Sequence, residues 1–333
     1  TVFNIILAII TLPHQWQVLV FNILSCIFSG TVLFWNGIIS LYVSSVQLGI
    51  RERVWGIIVG IIPVINLIML IRIILITRRE VIFERDKLRV NNARKKDRVC
   101  ATKYPILFVH GIFFRDSKLM NYWGRIPGEL QKNGARVFYG NQQSALSIKD
   151  SATELAIQIR DIVGKNKCKK VNIIAHSKGA LDCRYAIQNC GIAPYVASLT
   201  TVNTPHRGCK FADYILEKAP KRLTNYVADK YNKMYRLIGD KSPNFLSAVT
   251  DLTSKSCAQF NKNVTDTGEV FCQSIGSVQK KARSGRFPLN VTYHLVNVFD
   301  GENDGLVGVE SFPWGQRYIG KRSKGGRGIS HAD

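Results

Sequence analysis

The 333-residue chain is poor in acidic residues and lacks the short motifs that mark several large classes of protein. It has 23 Asp and Glu against 46 Lys and Arg, a formal net charge of +23. Neither GxxxxGK(S/T) nor GxGxxG occurs, so we expect no nucleotide or redox cofactor. No CxxC pair, zinc-ligand spacing, helix-turn-helix pattern or aromatic-rich strand motif occurs either, so we expect no nucleic-acid partner. Seven of the eight cysteines follow residue 99, and this odd, unpaired number favours reduced, mostly buried thiols.

The first 77 residues are poor in charge and predict a transmembrane region. Residues 18–43 contain no charged side chain and are long enough to cross a bilayer. Residues 54–76 contain one, Arg72, near enough to the end of the segment to reach the interface. Residues 2–12 are too short to cross, and because the chain begins there without Met we expect a truncated span. No small-residue cleavage site accounts for these segments, which argues against a signal peptide. Residues 1–77 therefore predict two complete spans and one truncated span.

A basic linker is predicted over residues 78–99. Its first 21 residues contain nine Lys and Arg, whereas the loop at residues 44–53 contains two. Because cytoplasmic loops of membrane proteins are rich in Lys and Arg, we expect a multi-pass membrane protein with the rest of the chain on the cytoplasmic face. From residue 99 onward the chain still has 34 Lys and Arg against 18 Asp and Glu, which suits an anionic leaflet. Membrane lipids are therefore expected partners.

One stretch, VNIIAHSKGALD at residues 171–182, organises the remainder of the chain. Its first four residues have the composition of a buried parallel strand. Ser177 follows between Ala175 and Gly179, and a helical pattern begins directly after it. A serine between small residues on a strand-to-helix turn is a nucleophile elbow, because larger flanking side chains would collide where strand and helix approach. The alternative is that Ser177 is a simple helix N-cap.

The elements around this stretch predict an α/β fold. Strands are predicted at residues 106–109, 135–139, 171–174, 196–202 and 291–298, and helices at residues 152–163, 180–187, 211–218 and 223–237. Strands that alternate with helices form a mainly parallel sheet with helices on both faces. Residues 209–286 are less regular and form an insertion between two strands.

Four motifs together resemble those of the bacterial triacylglycerol lipases of the α/β-hydrolase fold. They are YPILFVHGI at residues 104–112, AHSKG at 175–179, TPHRG at 204–208 and NDGLV at 303–307. The resemblance implies an α/β-hydrolase lipase domain over residues 100–333, preceded by the transmembrane helices. It also implies that residues 209–286 are lid-like, forming an amphipathic cover that moves aside at a lipid surface. A helical excursion packed on the sheet is the alternative.

In this fold the serine is followed in the chain by an acid and then by a histidine. Three histidines follow Ser177. His206 precedes any suitable acid and is expected to be structural, and His294 lies in a strand pattern that suits a core or sheet-surface residue. His331, on a glycine-rich loop, matches the lipase histidine and is predicted to be the catalytic base.

Three acids compete on one loop for the role of orienting the histidine. Asp304 matches the lipase Asp-Gly-x-Val pattern and is predicted to be the catalytic acid, with Asp300 as its substitute and Glu302 as a third candidate. Asp333 matches a position that binds calcium in some of these lipases. Since calcium takes six to eight oxygen ligands, Asp333 alone does not make a metal site.

The oxyanion hole of an α/β-hydrolase uses two backbone amides, one after the nucleophile and one in the loop after an early strand. These are predicted to be the N–H groups of Lys178 and Ile112. Gly111 lets the loop approach the substrate closely, and His110 is expected to hold the loop by a hydrogen bond.

The predicted function is hydrolysis of carboxylic esters of lipids by a serine hydrolase. An acyltransferase would use the same residues and differ only in passing the acyl group to an alcohol instead of water. A membrane-tethered scaffold with a non-catalytic hydrolase fold is the third possibility, although no member of the triad is missing from the sequence.

The charge asymmetry makes a testable prediction about topology. Each Lys or Arg near an anionic leaflet contributes about 1 kcal/mol of binding, so the linker should hold residues 100–333 on the inner face. Protease added to intact cells should therefore spare these residues, whereas opened cells should lose them. Digestion of these residues in intact cells would show that they lie on the outer face, opposite to the prediction.

Overall fold

The structure is a computed structural model that describes residues 6, 16–45, 47–61, 65–112, 122–265, 268–285, 288–323 and 328–333. They fall into two compact units, Thr1–Ala93 and Arg94–Asp333, which are described separately.

In the N-terminal unit, helix α1 (Trp16–Ser44) is long and apolar enough to cross a membrane. Its 29 residues contain no charged side chain and none of them is buried. At about 1.5 Å per residue it exceeds the thickness of a bilayer core. It contains the span predicted at residues 18–43. The span predicted at residues 2–12 lies outside the described residues apart from Ile6.

The second span, predicted over residues 54–76, is not confirmed. Helix α2 (Ile50–Ile58) ends in a 3₁₀ turn (Val59–Ile61), and helix α3 (Ile65–Ala93) begins after it. Residues 62–64, between these two segments, lie outside the described residues. Helix α3 also continues into the basic stretch, so most of the predicted linker is helical. Among the described residues, only α1 meets the length and hydropathy that a span requires.

The C-terminal unit alternates strands with helices. In chain order its elements are β1 (Ile106–Val109), α4 (Ile126–Lys132), β2 (Val137–Tyr139), α5 (Ile148–Lys165), β3 (Val171–His176), α6 (Lys178–Asn189), β4 (Val196–Val202), α7 (Lys210–Lys218), α8 (Lys221–Leu237), α9 (Phe245–Thr250), α10 (Ser254–Asn263), β5 (Phe271–Ser277), α11 (Leu289–Asp300) and β6 (Arg317–Lys321). The strands form one sheet in the order β2-β1-β3-β4-β5-β6, and every neighbouring pair is parallel.

Both faces of this sheet are covered. Alternate residues of a strand point to opposite faces, and in β1 they enter two different clusters. Leu107 packs with Leu155 and with the first residues of α6, whereas Phe108 packs with Leu130 of α4 on the other face. Burial on both faces explains why β1 is continuously apolar. The predicted α/β class is therefore confirmed.

Helix α5 shows how the local sequence starts an element and tertiary packing stabilises it. The Ser147 hydroxyl accepts a hydrogen bond from the N–H of Asp150, which caps the helix. Ala152, Leu155 and Ile159 then recur at helical spacing and are buried against the sheet.

The strand predicted at residues 291–298 is a helix, α11, and this is the main error in the predicted sheet. The segment is rich in β-branched residues, but α11 buries only Leu289 and Val296 and leaves Val298 exposed. The actual strand is β5, which lies inside the predicted insertion at residues 209–286. The polar Ser274 argues locally against a buried strand at these positions. In the structure the Ser274 hydroxyl donates a hydrogen bond to the Trp314 carbonyl at 2.8 Å. Distant partners thus satisfy polar groups that argue locally against a buried strand.

Helices α7 to α10 form the excursion between β4 and β5. Within it α8 buries Ala228 and Tyr235 and leaves the large side chains of Leu223, Tyr226 and Leu237 exposed. The lid interpretation of this excursion remains a prediction.

The packing of α5 can be tested by removing one core side chain. Leu155→Ala should lower the free energy of unfolding by about 2–5 kcal/mol, because it leaves a cavity under the sheet. Ile157→Ala on the same helix is the matched control, since Ile157 is 63% exposed. Denaturant unfolding that finds the two variants equally stable would contradict the packing described.

Candidate active site

Ser177 occupies a strained turn between β3 and α6. Its backbone has φ 53° and ψ −130°, a conformation that costs a residue other than glycine about 1–3 kcal/mol. The N–H of Ser177 donates to the Val202 carbonyl at 2.9 Å, and this bond holds the turn on the end of β4. Ser177 is at the N-cap position of α6, yet its side chain makes no capping hydrogen bond. The turn therefore has the geometry of a nucleophile elbow.

The elbow lies against the loop that follows β1. A Cβ on Gly179 would lie 2.1 Å from the carbonyl oxygen of His110, and a Cβ on Gly111 would lie 3.0 Å from the Cβ of Ser177. Real side chains do not approach so closely, so only glycine fits at Gly179, and Gly111 has little room. These contacts bring the loop and the first turn of α6 together beside Ser177.

The two predicted oxyanion donors lie on the segments that meet here. Lys178 is the first residue of α6, so its N–H has no acceptor within the helix and lies at the positive end of the helix dipole. Ile112 is buried in the loop after β1, and its carbonyl accepts a hydrogen bond from the Tyr235 hydroxyl at 2.8 Å. Helix α8 is thereby bonded to the loop. The role of both amides remains a prediction.

Asp304 and His331 form a close pair. His331 Nδ1 is 2.6 Å from Asp304 Oδ2, and the His331 backbone N–H donates to the Asp304 carbonyl at 2.8 Å. Asp304 is fully buried, and its Oδ1 accepts the N–H groups of Leu306 and Val307 at 3.0 and 2.8 Å. The carboxylate therefore has a fixed orientation, and it leaves Nε2 of His331 for other partners.

The competing acids have different partners. Asp300 accepts the backbone N–H groups of Lys210 and Phe211 at the start of α7, at 3.3 and 3.4 Å. Glu302 forms an exposed ion pair with Arg322 at 2.6 Å, and this hydrogen bond lowers the pKa of the Glu302 carboxyl. The geometry thus favours Asp304 over both alternatives.

His176 is a site residue that the sequence reasoning missed. Its Nδ1 is hydrogen-bonded to the Tyr122 hydroxyl, and its ring lies 4.5 Å from the ring of His331, centroid to centroid. Burial, and then the neighbouring His331, lower the pKa of His176 well below its usual value, although a hydrogen bond to the His331 backbone opposes this. His176 therefore joins the His331 loop to the strand that carries Ser177. The one signal in the sequence that could have identified His176 as a site residue is its position directly before Ser177.

The other histidines have structural surroundings. The ring of His110 is 3.1 Å from the Gln142 carbonyl, as expected for a residue that holds the loop. His206 is buried, stacked on Trp314 and 3.0 Å from the Thr201 hydroxyl. His294 is exposed on α11, so the prediction of a core or sheet-surface position is wrong.

Asp333 is occupied by a local contact. Its Oδ2 accepts both the N–H and the hydroxyl of Ser330 at 2.9 Å. In the described part of the chain, no group of three or more His, Cys, Asp or Glu side chains could hold a metal ion. The residues around Asp333 do not fit a calcium site, which needs six to eight oxygens.

The cysteines agree with the expectation of reduced thiols. All eight are free, and Cys183, Cys209, Cys257 and Cys272 are buried.

A parallel sheet with a serine elbow after a central strand, followed in the chain by a hydrogen-bonded Asp–His pair, defines the class of α/β-hydrolases. A family model described as palmitoyl protein thioesterase matches residues 105–270. The triacylglycerol lipase of Pseudarthrobacter phenanthrenivorans is 32% identical over 185 residues, which cover 52% of this chain and 57% of that protein. The triacylglycerol lipase of Pseudomonas fragi is 30% identical over 247 residues, which cover 65% of this chain and 83% of that protein.

Solved structures agree with the fold. The Bacillus licheniformis lipase BlEst2 in mature form matches with a TM-score of 0.52 at 23% identity, covering 69% of this chain and 85% of that chain. The match to the Pseudomonas fragi lipase, of which this chain covers 83%, shows that the chain belongs to the family of bacterial triacylglycerol lipases of the α/β-hydrolase fold. It spans little more than half the length of the Pseudarthrobacter relative.

The environments of the acids make a quantitative prediction. Asp304→Asn should lower kcat by about 10⁴-fold, because an amide stabilises neither the required tautomer nor the imidazolium of His331. Asp300→Asn and Glu302→Gln should each retain most of the activity. Ester-hydrolysis kinetics on the three purified variants would decide. A larger loss in Asp300→Asn would mean that the acid is misassigned.

Proposed function

We propose that this protein is a serine hydrolase that cleaves carboxylic esters of lipids through Ser177, His331 and Asp304. The observation that supports it most is the buried Asp304–His331 pair, whose histidine ring packs on His176, the residue before the strained Ser177. Ser177 follows β3 at the carboxyl edge of the sheet, the edge at which α/β proteins bind their substrates, and this position also supports the proposal.

In the proposed reaction Ser177 Oγ attacks the acyl carbonyl carbon while Nε2 of His331 takes the hydroxyl proton. The N–H groups of Ile112 and Lys178 stabilise the negative oxygen of the tetrahedral intermediate. His331 then gives the proton to the leaving alcohol, and an acyl-enzyme forms. Water activated by the same histidine releases the fatty acid and restores Ser177.

Lipid esters are the proposed substrate class, because the relatives that match this chain are named triacylglycerol lipases. Helix α1 and the basic segment after it suit an enzyme held at a membrane, where such substrates reside. The cytoplasmic orientation and the multi-pass topology remain part of this proposal.

Fatty-acyl thioesters are a second candidate substrate class, favoured by the match to the palmitoyl protein thioesterase model. The same attack by Ser177 would release a thiol. Comparison of kcat/KM for an ester and a thioester of the same acyl chain separates the two classes.

Replacement of the nucleophile tests the proposal. Ser177→Ala should lower kcat by about 10⁴-fold or more, and its fold should persist, because alanine fits the space that serine occupies. A fluorophosphonate probe should label the wild type at Ser177. As a matched control, Ser274→Ala removes another buried serine, in β5, and should leave the labelling at Ser177 intact. Labelling at another residue, or retention of most activity in Ser177→Ala, would reject the assignment.

A further inference from the structure

A buried ion pair lies directly beside the elbow. Lys178 Nζ is 2.7 Å from Asp182 Oδ1, one turn further along α6, and 3.2 Å from the hydroxyl of Ser151 in α5. The side chains of the pair are 1% and 3% exposed. Lysine and aspartate are seldom buried to this degree unless they are paired.

The stability of α6 does not explain this pair. A cation in the first turn of a helix opposes the helix dipole, and a lysine four residues before an acid is the less favourable order for a helix. Removal of both charges from water is costly, and apolar side chains of similar size replace such pairs with little or no loss of stability. A role other than stability is therefore indicated.

The pair completes the immobilisation of the first turn of α6. On one side Gly179 lies against the carbonyl of His110, so the turn cannot move toward the β1 loop. On the other side Lys178 reaches Ser151, which attaches the same turn to α5. The backbone N–H of Lys178, one residue after Ser177, belongs to the same helical turn as both attachments. A small displacement of that amide would turn its N–H away from the position of the proposed oxyanion.

The surroundings of the pair are acidic. Asp251 accepts the Ile148 N–H at 2.7 Å, and Glu154 accepts N–H groups of Gln143. Burial raises the pKa of the Asp182 carboxyl to about 7, with Asp251 and Glu154 adding to the effect and Lys178 opposing it. Burial also raises the pKa of the adjacent Cys183 thiol. Keeping Asp182 ionised thus depends on Lys178.

We propose that the Lys178–Asp182 ion pair, together with Ser151, is a positioning device that holds the Lys178 amide in place for the oxyanion. The inference rests on the proposed function, since it assigns a task to a side chain whose backbone is the proposed donor. A positioning role differs from a purely structural role in one respect. Loss of the ion pair should weaken binding of the transition state more than binding of the substrate.

The test is the double variant Lys178→Met with Asp182→Leu, which replaces the pair by apolar side chains. We expect a thermal midpoint near that of the wild type, KM within about twofold, and kcat lower by about 10- to 100-fold, as for small misplacements of catalytic groups. A trifluoromethyl ketone, which Ser177 converts to a tetrahedral oxyanion adduct, should bind weaker by a similar factor. The control, Asp161→Asn with Lys165→Gln, removes an exposed pair of α5 at the same spacing and should change none of these quantities.

Wild-type kcat and inhibitor affinity in a folded double variant would overturn the inference while leaving the proposed function intact. If Ser177→Ala retained the ester hydrolysis of the wild type, the proposed function itself would be rejected. If the double variant does not fold, Ser151→Ala decides. It keeps the ion pair and removes only the attachment to α5, so kcat should fall about threefold or more at unchanged KM. Unchanged kcat in that variant would also overturn the inference.

Discussion

The close contact between the first turn of α6 and the loop after β1 is the constraint on which the candidate site depends. Ser177 is held at a positive φ, which is unfavourable for a residue with a side chain. The conformation persists because the Gly179 backbone touches the carbonyl of His110, and the Ser177 N–H bonds to the end of β4. The elbow is thus maintained by three neighbouring strands together, and not by its own residues.

The Asp304–His331 pair depends on this arrangement indirectly. Both residues come from loops outside the central strands, and a backbone and a side-chain hydrogen bond join them. A further contact, between the rings of His331 and His176, links this pair to the strand that precedes Ser177. A residue of β3 therefore orients the histidine that the resemblance placed in the site. Because burial keeps His176 neutral, it adds no charge next to His331.

The helices of the N-terminal unit have the composition of membrane-associated segments. Helix α1 is apolar along its whole length, whereas α3 changes from apolar to basic within one continuous helix. Such a helix suits a boundary between hydrocarbon and anionic head groups. Ester hydrolysis of lipids and attachment at a membrane are therefore mutually consistent proposals, each with its own observations.

The sequence alone determined the elements whose signals are local. The strands at residues 106–109 and 196–202 have the predicted bounds, because runs of apolar and β-branched residues bounded by turns identify buried strands without reference to neighbours. The elbow was equally readable, since its small residues, strand and helix are consecutive. Asp304 was preferred to Asp300 by its motif, and the hydrogen bond to His331 supports that choice.

Only the tertiary structure decided the features that depend on distant partners. Residues 291–298 favour a strand by composition but form a helix, whereas the more polar residues 271–277 become a central strand because Trp314 and other residues bond their side chains. Likewise no local signal in the sequence shows that Lys178 and Asp182 are buried, and their burial follows from the packing of α5 on α6. Hydrogen bonds and burial between residues far apart in the chain have no local pattern, so propensity cannot reveal them.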